Sequence, residues 1–189
     1  MYDPWSSLLY DAATVAQRLI GCELVRECEG QYVRVKIVET EAYDQTDAAS
    51  HSYNGRTPRT DIMFGSAGNL YVYFTYGMHY CCNIVVGTKG YGAAVLIRAV
   101  EPLAGETHMK SHRDKPGVEL CNGPAKLCQA LAIDTSLNGH DLTQRPVQLV
   151  LHDAIDSRHI TRTTRIGITK ATDTMWRFYL TGNRYVSRL

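Results

Sequence analysis

Apolar and polar positions follow two different periods along this chain, and the switches between them mark out the elements. From Asp11 to Gly21, the residues Ala12, Val15, Ala16 and Leu19 fall on one face at helical spacing. Asp11 is a residue type that caps a helix start, and Gly21 one that stops it. Cys22 to Arg26 reads as a strand, Glu29-Gly30 as a turn, and a long strand is predicted from Gln31 to Tyr43. Asp44 to Gly68 is polar and loop-like. A loop of that length inside one domain is more often functional than not. Asn69 to Thr75 and His79 to Val86 are aromatic and β-branched, and they predict a hairpin closed by Tyr76-Gly77-Met78. A turn at Gly87 to Gly92 leads into a buried strand, Ala93 to Val100, while residues 101–118 show no period. Asn122-Gly123-Pro124 predicts a helix start with Pro124 in the first turn and Leu127, Cys128 and Leu131 as the apolar stripe. Short strands are predicted at Val147–Leu151, Ile166–Ile168 and Arg177–Leu180. The simplest assembly of these pieces is a single α+β domain with a mostly antiparallel sheet.

Length and composition agree. The chain has 189 residues, of which 44% are hydrophobic and 21% charged, enough for one real core without covalent staples. No apolar run approaches a membrane span. The opening Met1-Tyr2-Asp3-Pro4-Trp5 lacks the basic and apolar blocks of a secretory signal. Cys22, Cys28, Cys81, Cys82, Cys121 and Cys128 fit no C-x-x-C pattern, so they are read as reduced thiols packed as small hydrophobes, in a cytosolic or nuclear compartment.

The formal net charge is +1, which selects no partner, but its distribution does more. From Arg158 onward stand Arg158, Arg162, Arg165, Lys170, Arg177, Arg184 and Arg188 against Asp173 alone. Such a patch is either the electrostatic footprint of a polyanion or a solvated face.

In the long strand, a period of two puts Val33, Val35, Ile37, Glu39, Glu41 and Tyr43 on one face. Two carboxylates that continue a core stripe are costly unless hydrated, paired or used. Residues i and i+2 of a strand stand roughly 7 Å apart, a separation that glycosidic hydrolysis often employs. The alternatives are an exposed strand end or ion pairs with basic neighbours. Tyr71, Tyr73, Tyr76, His79 and Tyr80 crowd one hairpin, and the chain has 12 tyrosines against 3 phenylalanines. Aromatic bodies with wet tips suit nucleobase or protein contacts, and equally an ordinary sheet surface. His51 lies in the long polar loop without a second histidine at ligand spacing, which argues against zinc there. There is no G-x-S-x-G, H-E-x-x-H or phosphate-binding loop.

The ordered set Glu39-Thr-Glu-Ala-Tyr43, His51, Thr57-Pro-Arg59, Met63-Phe64, Tyr71-Val-Tyr73, Tyr76-Gly-Met78 and Cys81-Cys-Asn83 resembles the alkyladenine (3-methyladenine) DNA glycosylases of the β-hairpin type. Leu96 to Pro102, Cys121 to Leu127, Thr164 to Ile168 and Trp176 to Tyr179 continue the resemblance across essentially the whole chain. It implies a curved antiparallel sheet with flanking helices and a protruding, DNA-intercalating hairpin. It also implies a monomeric repair enzyme without metal or cofactor, acting on double-stranded DNA that contains damaged purines. Such an enzyme flips 3-methyladenine, 7-methylguanine or hypoxanthine from the duplex and cuts the N-glycosidic bond with an activated water. By the same resemblance, Glu41 corresponds to the general base and Arg98 to an arginine that helps hold the water. Tyr43, His51 and Tyr73 correspond to base-stacking side chains, Tyr76 to the intercalating residue, and Asn83 to the group that crowds the 2-amino group of guanine. Met78 and Arg59 are expected at the DNA surface, Glu39 in a structural role. Lys170 is the leading candidate for a phosphate contact, ahead of Arg165 beside the Ile166–Ile168 strand and of Arg177, for which the alternative beside Trp176 and Phe178 is pairing with a buried acid. The expected location is the cytoplasm and nucleoid of a bacterium, or the nucleus of a eukaryote.

Two other classes fit part of the pattern. A non-catalytic single-strand binder explains the tyrosines and the basic tail but not the acids. A hydrolase of small nucleosides explains the acids but not the basic tail.

Overall fold

A computed structural model describes residues 4–75 and 77–188. After a 3-10 turn at Pro4–Leu9, helix α1 (Ala12–Arg18) begins where Asp11 accepts hydrogen bonds from the Thr14 amide at 2.9 Å and the Thr14 hydroxyl at 2.6 Å. That is the cap expected from the sequence. Strands β1 (Glu23–Cys28) and β2 (Gln31–Asp44) follow as a hairpin, then β3 (Leu70–Thr75), β4 (His79–Val85) and β5 (Ala93–Ala104). Helices α2 (Glu106–His112) and α3 (Pro124–Ala130) precede three short strands, β6 (Val147–Val150), β7 (Ile160–Thr163) and β8 (Arg177–Leu180).

The strands form one eight-stranded sheet in the order β3-β4-β5-β2-β1-β6, with β8 pairing β2 and β7 pairing β8. Every pairing is antiparallel. The fold is therefore α+β, as expected. β3 and β4 pair out to Thr75 and His79; Tyr76, expected at the tip, lies outside the described residues. Among the described residues no helix is long and apolar enough to cross a membrane. All six cysteines are free.

Three expectations change. The apolar pattern Ile166–Ile168 is not a strand; the strand in that region is β7, and residues 166–168 turn toward the face opposite the core. Residues 101–118, without a visible period, hold the end of β5 and the seven-residue α2, too short an element to show one. The polar loop after β2 contains a 3-10 turn at Asp61–Phe64 whose Met63 and Phe64 are buried.

The fourth change matters most for function. Ile37 pairs with Val100 and Glu39 with Ala99, so Val38 is an extra residue in β2. Thr40 then pairs with Ile97, so Arg98 is an extra residue in β5. Paired bulges reset the alternation of both strands. Val33, Val35 and Ile37 lie in the core, but past the bulge Val38 and Ala42 are the core residues. Thr40 sits on their side, its hydroxyl donating to the Ala16 carbonyl of α1 at 2.8 Å. Glu39, Glu41 and Tyr43 face the other way. One continuous face from Val33 to Tyr43 is thus not what forms. α1 packs against β2 and β5, and α3 against β4 and β5, to close the apolar face of the sheet.

Candidate active site

The opposite face carries a cavity of about 500 Å³. Four neighbouring strands send alternate residues into it: Glu41 and Tyr43 from β2, Leu96 and Arg98 from β5, Cys81 and Asn83 from β4, Tyr71 and Tyr73 from β3. The long loop after β2 adds His51 and Met63, and residues 166–170 form the remaining wall. The volume is that of a small-molecule site.

Glu41 sits at its floor with no exposed surface. One carboxylate oxygen accepts the Ile166 amide at 2.7 Å. The other accepts the Tyr43 hydroxyl at 2.8 Å and faces the Arg98 guanidinium at 3.2 Å. Glu39, also fully buried, does not line the cavity. It accepts from Arg98 Nε at 3.0 Å, Arg177 Nε at 2.7 Å, the Ser187 hydroxyl at 2.9 Å and the Ser187 amide at 2.6 Å. Arg98 thereby bridges both carboxylates. Burial opposes its charge, but Glu41 and Glu39 outweigh that and hold the guanidinium above its ordinary value.

Apart from Glu41, Arg98 and Lys170 at the rim, the lining is aromatic, apolar or neutral polar. Burial, then the neighbouring Glu41 carboxylate, pushes the Tyr43 phenol well above its ordinary value, so it stays a donor. Burial does the same to Tyr73, and it pushes the Cys81 thiol beside it up to about 11. His51 keeps solvent contact at the mouth. Its ring stands edge-on to Tyr73 at 4.6 Å between centroids, with Nδ1 3.0 Å from the Tyr71 hydroxyl. Partial burial of the ring, and then Arg59, hold the imidazole below its ordinary value, which favours the neutral form. Asn83 donates its amide to the Tyr71 carbonyl at 3.0 Å, which fixes its orientation at the wall.

Of the residues singled out from sequence, Glu41, Tyr43, His51, Tyr73, Asn83, Arg98 and Lys170 all line this cavity. Arg59 stands outside it, exposed, with its guanidinium 5.6 Å from the Tyr73 ring centroid. Met78 is 71% exposed at the far end of the hairpin. Lys170 is exposed at the rim.

Arg165 and Arg177 are not surface cations. Arg177 is buried on Glu39. Arg165 is fully enclosed and pairs through both terminal nitrogens with Asp47, donates to the Ala42 carbonyl at 2.9 Å, and lies over the rings of Tyr43 and Trp176. Neither is free to hold a phosphate. Two of the seven basic residues from Arg158 onward are thus buried beside acids, and that part of the charge run is internal wiring.

Sequence reasoning missed Asp47, which holds Arg165 under Tyr43, and Ser187, which completes the Glu39 cluster. Both pair with residues more than a hundred positions away. It also missed the Ile166 amide, a backbone donor that carries no side-chain signal.

Comparison with known proteins adds an independent line. Residues 6–184 match the family described as methylpurine-DNA glycosylase. A protein of Carboxydothermus hydrogenoformans is 51% identical over 180 residues, covering 94% of both chains. One of Methanoculleus marisnigri is 49% identical over 183 residues, again 94% of both. One of Francisella tularensis is 47% identical over 177 residues, 92% of both. All three are named for a 3-methyladenine DNA glycosylase.

Proposed function

Because this chain belongs to the methylpurine-DNA glycosylase family and is therefore a DNA glycosylase, we propose that it releases alkylated or deaminated purines from duplex DNA, with Glu41 as the general base. The observation that carries this reading is that Glu41, and not the equally buried Glu39, lines the cavity. One of its oxygens takes Tyr43 and Arg98, the other only the Ile166 amide. A carboxylate oxygen has two acceptor positions, so the second leaves room for a water.

The reaction is hydrolysis. The water gives a proton to Glu41 and its oxygen bonds to the sugar's anomeric carbon. The bond from that carbon to the purine nitrogen breaks, and its electron pair leaves with the base. A purine methylated at N3 or N7 carries a positive charge, so it departs as a neutral molecule without prior protonation; the uncharged hypoxanthine leaves as its anion and takes a proton from solvent. The faces of Tyr43, Tyr73 and the neutral His51 suit such a cation, since aromatic rings present negative density. Arg98 anchors Glu41 and stands beside the place of the water. The anomeric carbon is shielded inside a duplex, so the nucleotide must be flipped out at a cost of a few kcal/mol. Tyr76, by its place in the family motif, is the side chain proposed to fill the vacated stack. Water is the nucleophile, so the scheme needs no cofactor, leaves an abasic site, and works in a monomer.

The test is base release from duplex oligonucleotides carrying 3-methyladenine or hypoxanthine, scored as new abasic sites. Release by the wild type and loss in Glu41→Gln support the reading. Release that survives Glu41→Gln removes Glu41 from the chemistry.

A further inference from the structure

Far from the cavity, the structure places three metal-ligating side chains together. Cys28 ends β1, at the turn into β2; His108 and His112 stand one turn apart on α2. Their ligand atoms all lie within 4.8 Å of one another, and this is the one such group of three among the described residues. The two imidazole Nε2 atoms are 3.2 Å apart. We propose that Cys28, His108 and His112 bind a borderline divalent transition-metal ion, of which Zn²⁺ is the best match, with solvent in the fourth position.

Geometry supports this. Tetrahedral zinc with bonds of about 2.0–2.1 Å to nitrogen sets two ligand nitrogens roughly 3.3 Å apart. The observed 3.2 Å is that spacing, whereas two unrelated surface histidines on adjacent turns are free to splay. The rings cross at 82°, edge to face, so the pair is not a stacked packing contact. Tetrahedral sulfur and nitrogen ligands stand roughly 3.6 Å apart, so Cys28 Sγ needs to approach by ~1.2 Å at most, within a side-chain rotation.

The backbone around the group is set by packing. Gly105, which starts α2, has φ +79° and comes so close to the β1–β2 hairpin that a Cβ there would stand 2.6 Å from the Tyr32 carbonyl oxygen. Met109 is fully buried beneath α2 and fixes the helix's rotation, which turns His108 and His112 toward Cys28. All three side chains are half-buried, accessible to an ion yet held. The nearest charged residues of α2 are occupied with each other, Lys110 with Glu106 at 2.8 Å.

One thiolate and two imidazoles favour zinc, cobalt or copper over magnesium or calcium, which want oxygen. Binding releases the thiol proton to solvent, and the neutral imidazole that carries its hydrogen on Nε2 moves it to Nδ1 to free the ligand nitrogen. Glu41 lies ten residues along β2 from Gln31, the register partner of Cys28, or roughly 33 Å along the strand. The ion would therefore clip the β1–β2 hairpin to α2 without touching the chemistry. This inference stands independently of the glycosylase reading.

The experiment uses the full chain stripped of metal by a chelator, with Co²⁺ and Zn²⁺ as probes. The expected result is one equivalent of Co²⁺ bound with a thiolate-to-metal absorption band that Zn²⁺ displaces. Zn²⁺ at about 100 times its dissociation constant is expected to raise Tm by roughly 5 °C or more. Cys28→Ser is expected to lose the band. His108→Ala and His112→Ala are each expected to weaken binding by roughly 100-fold or more, beyond what loss of an outer-shell partner costs. Base release by the three variants, unchanged from wild type, reports that they are folded. No saturable one-equivalent binding by the wild type overturns the proposal. So does binding that Cys28→Ser and both histidine variants leave intact, since the ion would then sit elsewhere.

Discussion

Glu39 and Glu41 stand two residues apart on the same side of β2, both fully buried, and their surroundings give them different work. Around Glu39 the protein closes on itself: two arginines and the Ser187 hydroxyl converge on one oxygen, the Ser187 amide takes the other, and the carboxylate does not line the cavity. Glu41 is held by fewer donors and faces an aromatic cavity. A buried carboxylate enclosed by protein is part of the fold's electrostatics; one that faces empty volume can meet a ligand. Access to the cavity, rather than the presence of an acid, separates the two, and Arg98 ties one to the other.

The sharpest way to break this comparison is to neutralise each carboxylate in turn. Glu41→Gln keeps shape and packing but cannot take a proton. General-base catalysis contributes typically 10²–10⁴-fold, so kcat is expected to fall by about that factor while lesion-DNA binding persists. Single-turnover release and a binding isotherm measure the two separately. If Glu39→Gln abolishes release in a protein of unchanged Tm and Glu41→Gln does not, the roles are reversed.

Glu39→Gln is expected to act on stability first. It leaves Arg98 and Arg177 with less negative charge in a site closed to water. Breaking a buried pair from one side costs about 3–5 kcal/mol, or roughly 10 °C in Tm for a chain of this size. A melt of the purified variant decides it; a Tm within two or three degrees of wild type, taken as about 1 kcal/mol, means that the cluster is not structural.

How far the sequence foretells this division differs between the two regions. The helix cap at Asp11, the hairpin pair β3 and β4, and Pro124 opening α3 follow from local chemistry, and the structure has them. Glu41, Tyr43, Tyr73 and Asn83 stand out because a motif orders them along strands. The bulges at Val38 and Arg98 carry no such signal, since an extra residue in a strand is decided by its partner across the ladder. The Asp47–Arg165 pair joins a polar loop to the last third of the chain, and only tertiary folding brings them together. Ile166 and Ile168 alternate as in a buried strand, yet they and Gly167 between them line the cavity without forming one. The basic run after Arg158 overstates the surface charge for a related reason: composition does not reveal which arginines have acids waiting inside.

A smaller effect tests the cavity side alone. Asn83 is anchored to the Tyr71 carbonyl at the wall where a purine's edge would lie. On the reading that Asn83 crowds the 2-amino group of guanine, Asn83→Ala makes room for it. Release of undamaged guanine is expected to rise by roughly 10-fold or more from its basal level, on the scale that pocket volume alone discriminates. The lost hydrogen bond costs only about 1 kcal/mol of stability. Comparing release from undamaged and 7-methylguanine duplexes reads the ratio directly, and an unchanged ratio moves selectivity to the lability of the glycosidic bond itself.

The smallest effect lies at the rim, where the contrast between inward and outward charge can be read in salt. Arg165 and Lys170 are five residues apart, yet one is sealed on Asp47 and the other is exposed beside the cavity mouth. A duplex whose nucleotide enters the cavity must bring phosphates past that rim. Each phosphate neutralised contributes about −0.9 to the slope of log K against log salt. Lys170→Gln is therefore expected to weaken binding of lesion and undamaged duplex alike and to make the slope shallower by about one. Arg165→Gln, by contrast, removes the partner of a buried carboxylate and is expected to lower Tm by roughly 10 °C while the folded fraction keeps the wild-type slope. Nonspecific affinity measured at several salt concentrations, on both variants, separates a phosphate contact from an internal tether. A shallower slope in Arg165→Gln and none in Lys170→Gln would mean that the DNA-bound protein turns its buried charge outward, and the division drawn from the free chain would not hold in the complex.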